Sequence, residues 1–144
     1  MTHIMIALFI GRFQPFHEGH LDALKQIKEK NIIIGIGSAQ YSGTLDNPYS
    51  FTERKKMIEK ALSNSQLNYK IVAIPDINDP PHWVEHVEKI VEKFAIVYTG
   101  NNFVAELFKE KKYPIKLLKK NINISGTEIR KKMYEKTRKN PKIF

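Results

Sequence analysis

Two histidines three residues apart, His17 and His20, stand with Gly19 between them and Arg12 upstream, just after a short apolar run and just before an amphipathic stretch. Imidazole and guanidinium groups are hydrogen-bond donors or cations, and the free N–H groups and positive dipole end of a helix start favour anions. That combination points to a phosphate site. By residue type the two histidines could also ligate zinc, but no third ligand of suitable spacing follows. They could equally be helix-start histidines satisfied by backbone or water. The glycines form neither the Gly-x-x-x-x-Gly-Lys-Ser/Thr loop nor the Gly-x-Gly-x-x-Gly turn.

Other residues of chemical interest are scattered. Ser125-Gly126-Thr127-Glu128 has the Ser-x-x-Glu spacing of a capping box, and Arg130 follows two positions later. Trp83, the only tryptophan, comes after the proline-bearing loop Pro75-Asp76-Ile77-Asn78-Asp79-Pro80-Pro81. Gly100 and Asn101 follow an apolar run, where a glycine permits close backbone approach.

The elements that must carry these groups follow from periodicity. Apolar runs at Ile4 to Ile10, Ile32 to Gly37, Tyr69 to Ile74, Ala95 to Thr99 and, more weakly, Ile115 to Leu118 predict five buried strands. Between them, apolar residues recur at helical spacing: Leu21, Leu24 and Ile27 from about Gly19; Met57, Ile58, Ala61 and Leu62 with Thr52 as N-cap; Val84, Val87, Ile90 and Val91; and a short helix at Phe103 to Phe108. A last helix starts near Ser125. The alternation predicts an α/β fold, one parallel sheet with helices on both faces, and a ligand crevice beyond the C-terminal strand ends. The loop after the first strand, which holds the histidines, is the expected place.

Composition narrows the class. The 144 residues suffice for one domain with a real core and include no cysteine, which excludes disulfides and thiolate chemistry and suits a cytosolic enzyme. No apolar run approaches the ~20 residues needed to span a bilayer, and no cleavable leader is evident at the N-terminus, so a soluble, unprocessed chain is expected. Residues 1–108 carry 11 Lys+Arg against 12 Asp+Glu, net −1, while 109–144 carry 13 against 3, net +10. The basic end is expected to be a solvated face or to steer anionic small molecules. No aromatics are interleaved with its lysines in an RNA-platform pattern and no groove-reading motif occurs, which leaves a basic nucleic-acid-binding module as the remote alternative.

Gly11-Arg12-Phe13-Gln14-Pro15-Phe16-His17-Glu18-Gly19-His20-Leu21 resembles the His-x-Gly-His signature of the nucleotidylyltransferase superfamily, in the form typical of archaeal-type nicotinamide-nucleotide adenylyltransferases. The superfamily's Ile-Ser-x-Thr-x-x-Arg signature is matched by Ile124 to Arg130, and Gly37-Ser38-Ala39-Gln40, Trp83-Val84 and Tyr98-Thr99-Gly100-Asn101 resemble intermediate segments in the right order. The resemblance implies a single Rossmann-like nucleotidylyltransferase domain over residues 1–144. It implies transfer of AMP from ATP to the 5′-phosphate of nicotinamide mononucleotide (NMN) by direct in-line attack, giving NAD and pyrophosphate. His17, His20, Arg12 and Arg130 would be catalytic. Gly11, Phe13, Gly19, Gly100, Asn101, Ser125 and Thr127 would bind ATP; Ser38, Gln40, Asp76, Ile77 and Trp83 would bind NMN, with Trp83 stacked on the nicotinamide ring. Mg²⁺ would accompany ATP on phosphate oxygens and water, with no protein metal site. A cytoplasmic homo-oligomer is expected, with no nucleic-acid or membrane partner.

The chain departs from the family pattern in three places. Phe51-Thr52 stands where relatives have Ala-Gly, Pro80 where an asparagine often stands three residues before the tryptophan, and Asn140 to Phe144 where relatives commonly continue into further helix. The same fold acting on another phosphorylated acceptor, FMN or phosphopantetheine, or with CTP replacing ATP, is the alternative to NMN.

Overall fold

Alternate residues of the first strand go to opposite layers, and the rest of the architecture follows from that. The computed structural model describes residues 5–118 and 125–139. Strand β1, Ile6–Gly11, sends Ala7 and Phe9 to one core and Leu8 and Ile10 to the other. Strand β2, Asn31–Gly37, does the same with Ile32, Ile34 and Ile36 against Ile33. Helices α1, Glu18–Lys25, and α2, Phe51–Ala61, cover the first face through Ala23, Leu24 and Ile58, with Leu62 just beyond α2. Helices α3, Pro80–Ile90, and α4, Asn102–Glu110, cover the second through Val84, Val87 and Phe108. Each fully buried Val, Leu, Ile or Phe side chain among these contributes about 1.5–3 kcal/mol of transfer free energy.

Strands β3, Asn68–Ile74, β4, Ile96–Thr99, and β5, Ile115–Leu117, complete a five-stranded sheet in the order β3-β2-β1-β4-β5, every pairing parallel. Leu8 lies opposite Ile33 on one side and Val97 on the other. The chain builds outward from β1 to β3, then returns to the other side of β1 for β4. Strand order therefore reverses between β1 and β4, where such sheets open a ligand crevice. Helix α5, Gly126–Lys139, ends the described chain. The five-stranded parallel sheet with helices on both faces is as the sequence predicts.

Local differences have identifiable causes. Helix α1 begins at Glu18 rather than Gly19, because the His17 side chain is its N-cap. Helix α2 is capped by Ser50 rather than Thr52; the Ser50 side chain accepts from Glu53 N and the Glu53 carboxylate accepts from Ser50 N. Pro80 and Pro81 form the first turn of α3 instead of a loop, positions where proline's missing N–H has no helical partner to lose. Ile90 is 37% exposed and Ala61 is exposed, both outside the buried stripes expected to contain them. Ile4, Ile124 and 140–144 lie outside the described residues.

Candidate active site

His17 and His20 are stacked, their ring centroids 3.8 Å apart. Both are locked by the start of α1: Gly19 N donates to His17 Nδ1 (3.1 Å) and His17 N donates to His20 Nδ1 (3.1 Å). Because each Nδ1 is an acceptor, the neutral rings carry their proton on Nε2, leaving that edge as a donor. Burial first, then the charge of His17, lowers the His20 pKa from 6.5 to about 3, so His20 is neutral at physiological pH. Phe13 supplies part of that burial. Its backbone φ of 52° turns the ring back onto His20, centroids 4.8 Å apart, and a Cβ at Gly11 would meet that ring at 2.8 Å. The cap also occupies part of the helix start, since the N–H of Gly19 bonds to His17 Nδ1 and those of His20 and Leu21 to His17 O.

Beyond the histidines a cleft of about 360 Å³ is lined by Gly11, Arg12, Phe13, His17, Gly19 and His20 from the first strand's exit, by Gly100 and Asn101 after β4, and by Gly126, Thr127 and Arg130 of α5. The histidine pair and Arg130, more than a hundred residues apart in sequence, thus face one space. Arg130 is aimed by two bonds, Nη1 to Gln14 O at 2.8 Å and Nη2 to Thr127 Oγ1 at 3.2 Å. Arg12 Nη2 donates to Asp46 O (2.6 Å) and Asn47 Oδ1 (2.8 Å). Burial, and then the charge of Arg12, pushes the Arg130 pKa down, with Asp46 opposing. Two guanidinium groups close enough to oppose each other make a field that favours an anion. Asn101 caps α4, accepting from Val104 N at 3.1 Å, and Gly100 borders open space. Ser125 stands outside the lining and caps α5 through Glu128 N at 3.1 Å.

A second cleft, about 340 Å³, adjoins the first and shares Ile10, Gly11, Arg12, Thr99 and Asn101 with it. Ser38, Asp76, Ile77 and Trp83 line this one. Ser38 Oγ donates to Asp76 Oδ2 at 2.6 Å. Gln40 stands behind them; its amide donates to Asp76 O (2.9 Å) and accepts from Asp76 N (3.0 Å), which fixes the loop without lining the cleft. Trp83 meets Phe108 edge to face at 5.5 Å, so the indole belongs partly to the core and partly to the cleft wall.

The cytidylyltransferase-like family model matches residues 8–132. The nicotinamide-nucleotide adenylyltransferase of Thermococcus sibiricus is 48% identical over 139 residues, covering 91% of this chain and 74% of that protein. Its counterpart from Methanococcus maripaludis strain C5 is 48% identical over 135 residues, covering 91% and 79%. The chain belongs to the nicotinamide-nucleotide adenylyltransferase family. The crystal structure of a bifunctional NMN adenylyltransferase/ADP ribose pyrophosphatase from Francisella tularensis, complexed with AMP and a manganese ion, is similar with a TM-score of 0.77 and 30% identity. That similarity covers 92% of this chain and 42% of that one, so the chain spans less than half of the bifunctional protein.

Three residues bonded to or packed against the walls of these clefts are given no role by the expectations from sequence. Gln14 is buried, its side-chain amide pairing with both Tyr49 N and Tyr49 O at 2.9 Å while its carbonyl receives Arg130. Gly126 leaves room for that last bond; a Cβ there would lie 2.9 Å from Arg130 Nη1 and 3.4 Å from Gln14 O. Arg54 is fully buried on α2. A sequence signal for Arg54 did exist, since it precedes Ile58 and Leu62 at four-residue steps and so puts a cation on an apolar stripe.

Proposed function

We propose that this chain joins ATP and NMN, the NMN 5′-phosphate attacking the α-phosphorus of ATP to give NAD and pyrophosphate. The observation that carries the reading is the meeting of two clefts along Gly11, Arg12, Thr99 and Asn101 at the β1/β4 switch point. One is lined by imidazole and guanidinium donors, the other by a carboxylate and an indole. The names of the relatives support the same two substrates.

The attacking phosphate is already a nucleophile, so the protein's task is to align two like-charged groups and to stabilise charge on the leaving pyrophosphate. In this reading the Nε2–H edges of His17 and His20 donate to the triphosphate, Arg130 holds its far end, and Arg12, on both rims, draws the two phosphates together. Arginine's planar fork suits that role. Gly11, Phe13, Gly19, Gly100, Asn101 and Thr127 shape the ATP cleft, and Ser125 acts on it by setting the start of α5. Trp83 stacks on the nicotinamide, Asp76 faces its cationic ring with Ile77 beside it, and Ser38 and Gln40 hold Asp76 in place.

A divalent cation accompanies the nucleotide, and we take it to be Mg²⁺. Among the described residues no three His, Cys, Asp or Glu groups converge to hold a metal. That donor set fits a cation carried on phosphate oxygens and water, where it neutralises charge on the pyrophosphate. Metal removal with chelator should abolish turnover, and Mg²⁺ should restore it.

A panel scored by pyrophosphate release tests the function: ATP or CTP with NMN, nicotinate mononucleotide, FMN or phosphopantetheine. ATP with NMN should give the highest kcat/KM; a different pair in first place overturns the assignment. We further propose a homo-oligomer, for which exposed Leu45 and Leu117 offer apolar contact area, to be checked by sedimentation. No described helix is long and apolar enough to cross a membrane. A cytoplasmic location is the expectation, and cell fractionation tests it.

A further inference from the structure

Arg54 is the largest fully buried side chain in the described structure, and every partner of its guanidinium is a main-chain carbonyl. Nε donates to Ser50 O (3.1 Å), Nη1 to Arg12 O (3.0 Å) and Gly37 O (2.8 Å), and Nη2 to Ser38 O (3.2 Å), Ala39 O (3.4 Å) and Tyr41 O (3.4 Å). All five N–H donors are used. Among the described residues no carboxylate pairs with it. Burying a cation without a counter-ion is costly, and an apolar side chain at this place on the stripe would fill the core at lower cost.

The acceptors are not scattered. Arg12 follows β1, Gly37 ends β2, and Ser38 to Tyr41 begin the loop beyond β2. Arg12, Gly37 and Ser38 all line the second cleft, so the guanidinium lies directly behind that wall. Ser38 holds a backbone φ of 48°, a conformation most side chains avoid, and two of the carbonyl bonds fall on it and its neighbour Gly37.

We propose that Arg54 is a positioning residue for adenylyl transfer. It ties the strand exit that carries Arg12 to the one that carries Ser38, so that the acceptor phosphate is held at a fixed separation from the ATP cleft. The proposal rests on the adenylyl-transfer reading. Arg54 touches no reacting atom; it acts through Arg12 and Ser38. Lysine, with one nitrogen, cannot reach carbonyls on both sides of the fork.

Arg54→Lys, assayed beside the wild type with ATP, NMN and Mg²⁺, tests this. Non-hydrolysable ATP analogue, titrated by calorimetry, counts competent sites. The expected result is a kcat per competent site reduced about tenfold to a hundredfold, as misplacement of reacting groups by an ångström produces, with KM for ATP within about threefold because the histidine side of the site is untouched. A kcat per competent site equal to wild type overturns the proposal and leaves Arg54 a purely structural residue. Equal loss in ATP binding and in kcat/KM overturns it as well. If Arg54→Lys does not fold, Arg54→Ala is assayed with added ethylguanidinium and ethylammonium. Recovery of kcat with the guanidinium alone supports the proposal, and recovery of fold without kcat overturns it. A wild type that releases no pyrophosphate defeats the adenylyl-transfer reading itself; an active wild type with an equally active Lys variant defeats only the role of Arg54.

Discussion

At the scale of single residues, His17 and His20 show why spacing was informative: their separation of three allows each imidazole to cap the same helix start while both residues line the cleft. Replacing either with alanine should lower kcat by about a hundredfold or more, the usual cost of a lost donor to developing charge, as measured by steady-state pyrophosphate release. His20 also makes acid stability predictable. Its folded pKa of about 3 lies below the unfolded 6.5, so between those values the unfolded chain binds the extra proton and stability falls as pH falls. The slope from this group is about 1.4 kcal/mol per pH unit. In His20→Asn, whose amide oxygen can replace Nδ1 as the cap acceptor, urea midpoints should decline less steeply between pH 6.5 and 4. An unchanged slope would remove His20 as the cause. Trp83→Ala should raise KM for NMN at least tenfold and leave KM for ATP nearly unchanged, since the indole lines only the second cleft.

At the scale of elements, the caps and close approaches decide where the side chains point. Ser50→Ala removes the side-chain oxygen that accepts from Glu53 N, leaving only the Ser50 N–H to Glu53 carboxylate half of the capping box, and should cost about 0.5–2 kcal/mol in thermal or urea unfolding. Gly126→Ala should act differently. The added methyl group crowds Arg130 Nη1 at the start of a solvent-facing helix turn, so kcat/KM for ATP should drop several-fold while the melting temperature barely moves. Much at this level was legible in the chain: the five strands, the helical stripes and the Ser125 cap follow from periodicity and spacing. Ser50-x-x-Glu53 was equally legible as a capping box, and Thr52 competes with it only because both are good cap residues. The terminal residue of an element is where propensity is weakest and hydrogen bonding decides.

At the scale of the whole molecule, Arg12, Arg54 and Arg130 share one field: the charge of Arg12 lowers the pKa of both others, after burial. Raising ionic strength from about 0.05 to 0.5 M shortens the Debye length to a few ångströms. KM for ATP should therefore rise several-fold with salt, more than KM for NMN, whose cleft contains Asp76; equal salt dependence would contradict a triphosphate site beside this cluster. The strand order β3-β2-β1-β4-β5 is what brings the first strand's exit to the fourth and lets α5 return to Gln14.

The order of residues along the chain was enough to determine the α/β class, the strand and helix inventory and the histidine and arginine motifs, because those depend on side-chain type at short, fixed separations. Only the tertiary structure decided that Gly19 N at the start of α1 is spent on the His17 side chain, that Gln40 stands behind Asp76 rather than in the cleft, and that Arg54 is bound by carbonyls from three separate segments. Main-chain carbonyls leave no mark in a sequence. Every residue has one, and which of them converge on a buried guanidinium is set by how the strands are ordered and how their loops turn.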